Sequence, residues 1–211
     1  MHVFDTAILQ KRFIVLEGLD GAGTTTQLRL LEQNMAQRGI SCWATAEPTN
    51  LPSGQLIRRI LAGDITVDPG TVAHLFAADR HEHVYGHNGI AEHAAAGQLV
   101  VSDRYVLSSL AYQGVTCGPS LPWQLNRHFP MPGLTFLFDL DPQEAARRLC
   151  ERTHREIYEE LTMQRKVRAM YQRMARRLEQ RGWRIIRIDA SLEIDTIAAI
   201  LQREILNFLA S

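Results

Sequence analysis

From residue 18 to residue 26 the chain reads Gly18-Leu19-Asp20-Gly21-Ala22-Gly23-Thr24-Thr25-Thr26, and no other stretch restricts the fold as strongly. It follows the short apolar run Phe13–Leu16. It leads into a pattern in which Leu28, Leu31 and Met35 recur at three and four residues before Gly39. A strand, a glycine-rich turn and a helix in that order bend the backbone sharply and expose its N–H groups. The helix then aims its partial positive end at the same place. The product is a cradle for an anion. An ordinary strand-to-helix turn is the bland alternative, and it explains the glycines but not their conjunction with three hydroxyl residues.

This spacing resembles the P-loop, G-x-x-x-x-G-K-[ST], at every defining position except the lysine, where Thr24 stands. The resemblance implies a nucleotide-phosphate site formed by Gly18, Asp20, Gly21, Ala22, Gly23, Thr24, Thr25 and Thr26, with the Thr25 hydroxyl on Mg²⁺. The chain has only two lysines, Lys11 and Lys166. Lys11 precedes the strand, roughly 20 Å from the loop at about 3.3 Å per residue, and cannot substitute.

Further short apolar runs occur at Ser41–Thr45, Leu99–Ser102, Thr135–Leu140 and Trp183–Ile188. They lack the apolar/polar alternation of a half-exposed sheet and are separated by helical segments, so they read as buried strands of a parallel sheet covered on both faces. The class is α/β. Leu56, Ile57 and Ile60 predict a helix ending at Gly63, and a longer helical stretch from about Thr71 to Ala96 is expected to break near Gly86 and Gly89. Pro119, Pro122, Pro130 and Pro132 mark expected loops. At 211 residues, with 45% hydrophobic and 22% charged content, the chain reads as one domain.

Phe13-Ile14-Val15-Leu16-Glu17-Gly18-Leu19-Asp20-Gly21-Ala22-Gly23 is similar to the opening of thymidylate kinases. Glu47-Pro48-Thr49, Leu75-Phe76-Ala77-Ala78-Asp79-Arg80, Asp103-Arg104-Tyr105 and Ser109-Leu110-Ala111-Tyr112-Gln113-Gly114 follow in the order of that family. The resemblance implies a P-loop NTPase fold with a five-stranded parallel sheet, helices on both faces and a helical lid. It also implies ATP and Mg²⁺ as cofactors, dTMP as acceptor and a homodimer. Phe76 and Arg80, four apart on a helix, share a face where a ring can stack on a base and a guanidinium can reach its edge; the resemblance makes that base thymine. Glu47, Arg104, Ser109, Tyr112 and Gln113 are implied to line the acceptor site, Tyr112 by blocking a 2′-hydroxyl, and Asp20 to accept from the sugar 3′-hydroxyl. Helix capping is the competing role for Asp20, and helix packing for Tyr112.

Asp103 and Arg104 follow the apolar run Leu99-Val100-Val101, at the end of a strand where ligands bind in open α/β sheets. A planar guanidinium there can hold phosphate oxygens, and a carboxylate can position a Mg²⁺-bound water. Glu151-Arg152-Thr153-His154-Arg155-Glu156-Ile157 resembles the family's lid, which makes Arg152 and Arg155 candidates for folding over ATP. Ala46 stands where many relatives have an arginine that helps to hold the acceptor phosphate, so two usual cations are missing, and acceptor binding is expected to rely on Arg104 or Arg80, with Arg58 a further candidate.

Formal charge balances to zero, which disfavours nucleic acid as a partner, although most arginines lie between Arg147 and Arg187. Interleaved acids read that stretch mainly as a solvated helix face. Cys42, Cys117 and Cys150 lack metal-ligand spacing and suit free thiols in a reducing cytoplasm. No apolar run approaches membrane-spanning length. His83 and His87 are spaced like helical metal ligands, but with no third ligand evident the histidines read as surface or pocket-lining residues. A nucleotide-binding regulator that has lost catalysis with its lysine is the rival reading.

Overall fold

In the computed structural model, which describes residues 6–148 and 154–210, a five-stranded sheet has the order β2-β3-β1-β4-β5 with every neighbouring pair parallel. The strands are β1 (Phe13–Gly18), β2 (Cys42–Ala46), β3 (Leu99–Asp103), β4 (Leu134–Asp139) and β5 (Ile185–Asp189). All five were legible as apolar runs, within a few residues at each end. β1 and β3 are buried along their whole length, whereas the edge strands β2 and β5 are only partly covered. Burial on both faces is what continuous Ile/Val/Leu runs require, because each strand offers apolar side chains to both sides.

The connections are α2 (Thr24–Gln37) after β1, and α3 (Pro52–Leu61), α4 (Pro69–Tyr85) and α5 (Ile90–Ala95) between β2 and β3. α6 (Val106–Thr116) and α7 (Ser120–Asn126) join β3 to β4, while α8 (Pro142–Arg148) and α9 (His154–Glu179) lead from β4 toward β5. α1 (Thr6–Arg12) precedes the sheet and α10 (Ile194–Leu209) follows it. The step from β1 to β2 runs one way along the sheet, and the steps from β2 to β3, β3 to β4 and β4 to β5 run the other way. Right-handed crossovers therefore place α2 on one face and α3 to α9 on the opposite one. The packing agrees, with α2 against α10 and α6 against α9.

The expected helix break is present. α4 stops at Tyr85, Gly86 and Gly89 flank the gap, and α5 starts at Ile90. The proline-marked loop is only partly a loop: Pro122 sits third in α7, where the N–H it lacks would have no intrahelical partner. Among the described residues no helix is long and apolar enough to cross a membrane.

Candidate functional site: two cavities joined at the end of the central strands

The carboxyl ends of β1 and β3 lie side by side, Leu16 opposite Asp103, at the point where the connections diverge to left and right. This is the position at which open α/β sheets bind ligands. Gly21 and Gly23 take φ of 84° and 90°, in the left-handed region that side chains avoid, and so let the loop double back. α2 has no side-chain cap and no acid in its first turn, which leaves its N-terminal N–H groups facing outward. A cavity of about 700 Å³ opens over them, lined by Leu19 to Gln27, Arg104, Arg148 and the segment Ala190–Ile194. Asp20, Gly21, Ala22, Gly23, Thr24, Thr25 and Thr26 all line it, as expected of a phosphate loop. Gly18 does not; its carbonyl turns inward and accepts from Arg104 Nη1 at 3.1 Å and from the Tyr171 hydroxyl at 3.0 Å.

A second cavity of about 710 Å³ has an apolar wall that includes Leu61, Val72 and Phe76 and a polar floor that includes Arg80, Ser109 and Gln113. Glu47, Tyr112, Ala46 and Arg58 line it too. The structure thus brings the expected acceptor residues together, with Phe76 and Arg80 entering from one face of α4. Arg80 is fully buried and held from three sides. Its Nε and Nη2 donate to Glu47 Oε2 at 2.9 and 2.5 Å, Nη2 also to Ser109 Oγ at 3.0 Å, and Nη1 to Asn126 Oδ1. Glu47 is therefore engaged within the protein. Its other oxygen lies 3.1 Å from His83 Nδ1. His83 was expected at the surface or in a pocket; it is instead buried between Glu47 and Thr45, while His87 is exposed beside Glu92. Gln113 Oε1 is buried without a hydrogen-bond partner, which in a cavity wall marks a position for a ligand donor.

Asp20, Thr25 and Arg104 line both cavities. Arg104 Nη2 donates to Asp20 Oδ1 at 2.8 Å, and the Tyr112 hydroxyl donates to Asp20 Oδ2 at 3.0 Å while the Asp20 N–H donates back to it at 3.1 Å. The Asp20 carboxylate does not cap α2, so the competing role fails. Tyr112 likewise does more than pack α6. Burial opposes the charge of Arg104, but Tyr112, Tyr171, Asp20 and Asp103 together hold its pKa well above the ordinary guanidinium value. Arg104 has φ of 74°, a left-handed conformation that costs a residue with a side chain on the order of 1–3 kcal/mol. In that conformation the guanidinium reaches Gly18 and Asp20 of the phosphate loop while it rests against Ser108 and the Tyr112 ring of α6.

The Thr25 hydroxyl donates to Asp103 Oδ2 at 2.6 Å, while Asp103 Oδ1 is buried with no partner. An orphaned carboxylate oxygen on the wall of the second cavity, beside a hydroxyl that lines both cavities, suits a hard cation that keeps most of its ligands as water and phosphate. Among the described residues no group of three or more His, Cys, Asp or Glu could hold a metal alone.

Sequence reasoning missed Arg148, which reaches the first cavity from α8 with Nε on Glu144 Oε1 at 3.0 Å and Nη1 on the Ala190 carbonyl at 3.1 Å. It also missed Glu17, buried behind the loop. The charge between Glu144 and Arg148 at i,i+4 was a readable signal; the burial of Glu17 was not. Lys166 is exposed on α9 and lines neither cavity, and Arg58 donates to the Pro48 carbonyl at the acceptor rim. Arg152 lies outside the described residues, and of Arg155 only its place in the first turn of α9 is described. Farther along, Arg168 pairs with Asp139, Arg187 with Glu179, and Arg177 and Arg181 cover the ring of Trp123. The basic stretch is largely engaged within the fold.

A parallel sheet with an uncapped helix over a glycine loop at the junction of β1 and β3 defines a P-loop nucleotide-binding domain. The family model described as "Thymidylate kinase" matches residues 16–200. The chain is 39% identical over 207 residues to a protein of Thermococcus onnurineus, covering 92% of this chain and 98% of that one. It is 42% identical over 174 residues to one of Thermococcus kodakarensis, covering 77% and 83%. It is 39% identical over 189 residues to one of Pyrobaculum aerophilum, covering 89% and 92%. Each of the three carries the name "Probable thymidylate kinase". The chain belongs to the thymidylate kinase family.

Proposed function

We propose that the protein transfers the γ-phosphoryl group of ATP to dTMP, giving dTDP. The observation that carries this reading is the pair of cavities meeting at Asp20, Thr25 and Arg104: one is built on backbone N–H groups for a polyphosphate, the other on an aromatic wall and a buried guanidinium for a base. The names borne by the relatives support it.

Phosphoryl transfer needs positioning and neutralisation of charge more than a reactive side chain. The N-terminus of α2 and the loop N–H groups bind the donor phosphates, and Arg104, on the shared wall, faces the phosphates of both nucleotides. Phe76 stacks on the thymine while Arg80, fixed by Glu47, Ser109 and Asn126, presents its remaining N–H to the base edge. Asp20 takes the 3′-hydroxyl and Tyr112 stands against the 2′ position. Thr25 and Asp103 would hold Mg²⁺, which would neutralise phosphate charge. With Thr24 in the lysine position, an arginine of the segment 151–157, Arg152 or Arg155, supplies the missing cation. The protein works as a single-domain homodimer in the cytoplasm.

The test is turnover of ATP and Mg²⁺ with a panel of nucleoside monophosphates and with thymidine. Formation of dTDP, with thymidine refused, is expected. Binding of both nucleotides without turnover of any monophosphate would favour the regulatory reading instead.

A further inference from the structure

Glu17 lies immediately before the phosphate loop, has no exposed surface and lines neither cavity. We propose that Glu17 is a positioning residue for Arg104 and the phosphate loop, acting as a protonated acid at the head of a hydrogen-bond relay that ends on the Gly18 carbonyl. The proposal rests on the reading of Arg104 as the group that faces both nucleotides.

One carboxyl oxygen acts on the backbone. Glu17 Oε1 accepts from the Tyr105 N–H at 3.0 Å, the peptide that directly follows the left-handed Arg104. The Arg104 N–H donates to the Leu16 carbonyl at 2.8 Å, and its own carbonyl accepts from Ser102 Oγ at 2.8 Å. Three bonds in sequence thus fix a conformation the chain would not take freely, and Glu17 supplies the last.

The other oxygen acts on the side chain. Glu17 Oε2 meets Ser108 Oγ, Ser108 Oγ meets the Tyr171 hydroxyl at 2.7 Å, and the Tyr171 hydroxyl meets the Gly18 carbonyl at 3.0 Å. Arg104 Nη1 donates one of its two hydrogens to the Gly18 carbonyl at 3.1 Å and shares the other between Ser108 Oγ and the Tyr171 hydroxyl, each at 3.3 Å. The proton count decides the state of Glu17. Serine and tyrosine bring one hydroxyl proton each, and a carbonyl only accepts, so Tyr171 donates to Gly18 and Ser108 donates to one neighbour. Three contacts need three protons. If Glu17 carries the third, Glu17 donates to Ser108, Ser108 to Tyr171 and Tyr171 to Gly18, and both hydroxyl oxygens keep a lone pair for Arg104.

The surroundings agree with that state. Burial pushes the Glu17 carboxyl up to about 7, against the opposing effects of the Ser108 hydrogen bond and of Arg104 and Arg80. The groups facing it are Tyr105 and Ser108 beside it, Tyr171 from α9, the Arg104 guanidinium and, at longer range, Arg80 of α4.

E17Q keeps an acceptor for Tyr105 and an N–H donor for Ser108 at every pH, E17A keeps neither, and S108A cuts the relay without touching the backbone bond. Infrared difference spectra between about pH 6 and about pH 8 should show the carbonyl stretch of a protonated carboxyl in the wild type and not in E17Q. Folded E17A should lose between about tenfold and about a hundredfold in kcat, with KM changing less. S108A should lose less than E17A, and the ratio of wild-type to E17Q kcat should fall as pH rises through about 7. A spectrum identical in wild type and E17Q overturns the proposal, as does S108A or folded E17A at wild-type kcat across the pH range. If the wild type shows the band but makes no dTDP, the reaction proposed above fails; the Glu17 inference then stands or falls on Mg-ATP binding by calorimetry, weakened in S108A or unchanged.

Discussion

The Thr25 hydroxyl donates to Asp103 Oδ2 at 2.6 Å and so ties the first turn of α2 to the end of β3, leaving Asp103 Oδ1 buried and unpaired. Removing that carboxylate should weaken Mg²⁺ use more than nucleotide binding. Asp103→Ala is expected to lower kcat by on the order of 10²–10³ and to raise the free Mg²⁺ needed for half-maximal rate. Rates measured against Mg²⁺ at saturating nucleotides check this; an unchanged Mg²⁺ dependence would refute it.

Phe76 stands on the wall of the acceptor cavity and not on that of the phosphate-loop cavity. Base stacking contributes about 1–3 kcal/mol, so Phe76→Ala should weaken dTMP by that amount and leave ATP nearly untouched. Separate calorimetric titrations distinguish the two, and equal losses in a variant shown to be folded would overturn the stacking role of Phe76.

Asp20 is paired with Arg104 and Tyr112. Asp20→Ala should penalise dTMP, whose 3′-hydroxyl loses its acceptor, and do comparatively little to a 3′-deoxy analogue. Inhibition constants of both compounds with wild type and mutant provide the comparison. A uniform penalty would assign Asp20 to loop structure alone.

Thr24 offers the phosphates one neutral hydroxyl where a lysine would offer a charge. Arg152→Ala or Arg155→Ala should abolish turnover, and the same truncation in a Thr24→Lys background should be partly rescued, because residues serving one charge are not additive. The relocated-charge account fails if both truncations leave the rate unchanged.

The Glu17 carboxyl, raised from 4.5 to about 7 by burial, also makes stability depend on pH. Its folded-state pKa exceeds the unfolded one, so the folded state binds the extra proton. That contribution is complete below about pH 4.5 and is lost as pH rises through about 7, a swing of roughly 3 kcal/mol. E17Q does not titrate. Urea unfolding at about pH 5 and about pH 8 should therefore show E17Q gaining on the wild type at the higher pH; a constant difference would mean that Glu17 is ionised throughout.

The strands and the phosphate loop were legible because their signals are local: continuous β-branched runs, glycines at fixed spacing, and a helical repeat that stops at Gly39. That Phe76 and Arg80 would meet in one cavity was to be expected only through resemblance, since alone they fit a core ring and a surface guanidinium. What stayed hidden was long-range. Glu17 meets Ser108 across 91 residues and Tyr171 meets Gly18 across 153, and no periodicity encodes such pairs. Glu47 lines the second cavity as expected, but its bonds to Arg80 and His83 could not be read, because they depend on burial that appears only once α4 packs against α6.

The strand order has one more consequence, for how such a protein can be altered. Apart from Asp20, Thr25 and Arg104, the acceptor cavity draws mainly on α3, α4, α6 and the end of β2, with Leu28 of α2 and Met163 of α9, and the donor cavity on the phosphate loop, the first turn of α2, Arg148 of α8 and the segment that leads from β5 into α10. The two cavities thus carry separate vocabularies that share three words. On the proposed reading, substitutions around Val72, Phe76 and Gln113 should re-aim the enzyme toward a different base without rewriting how it grips a triphosphate.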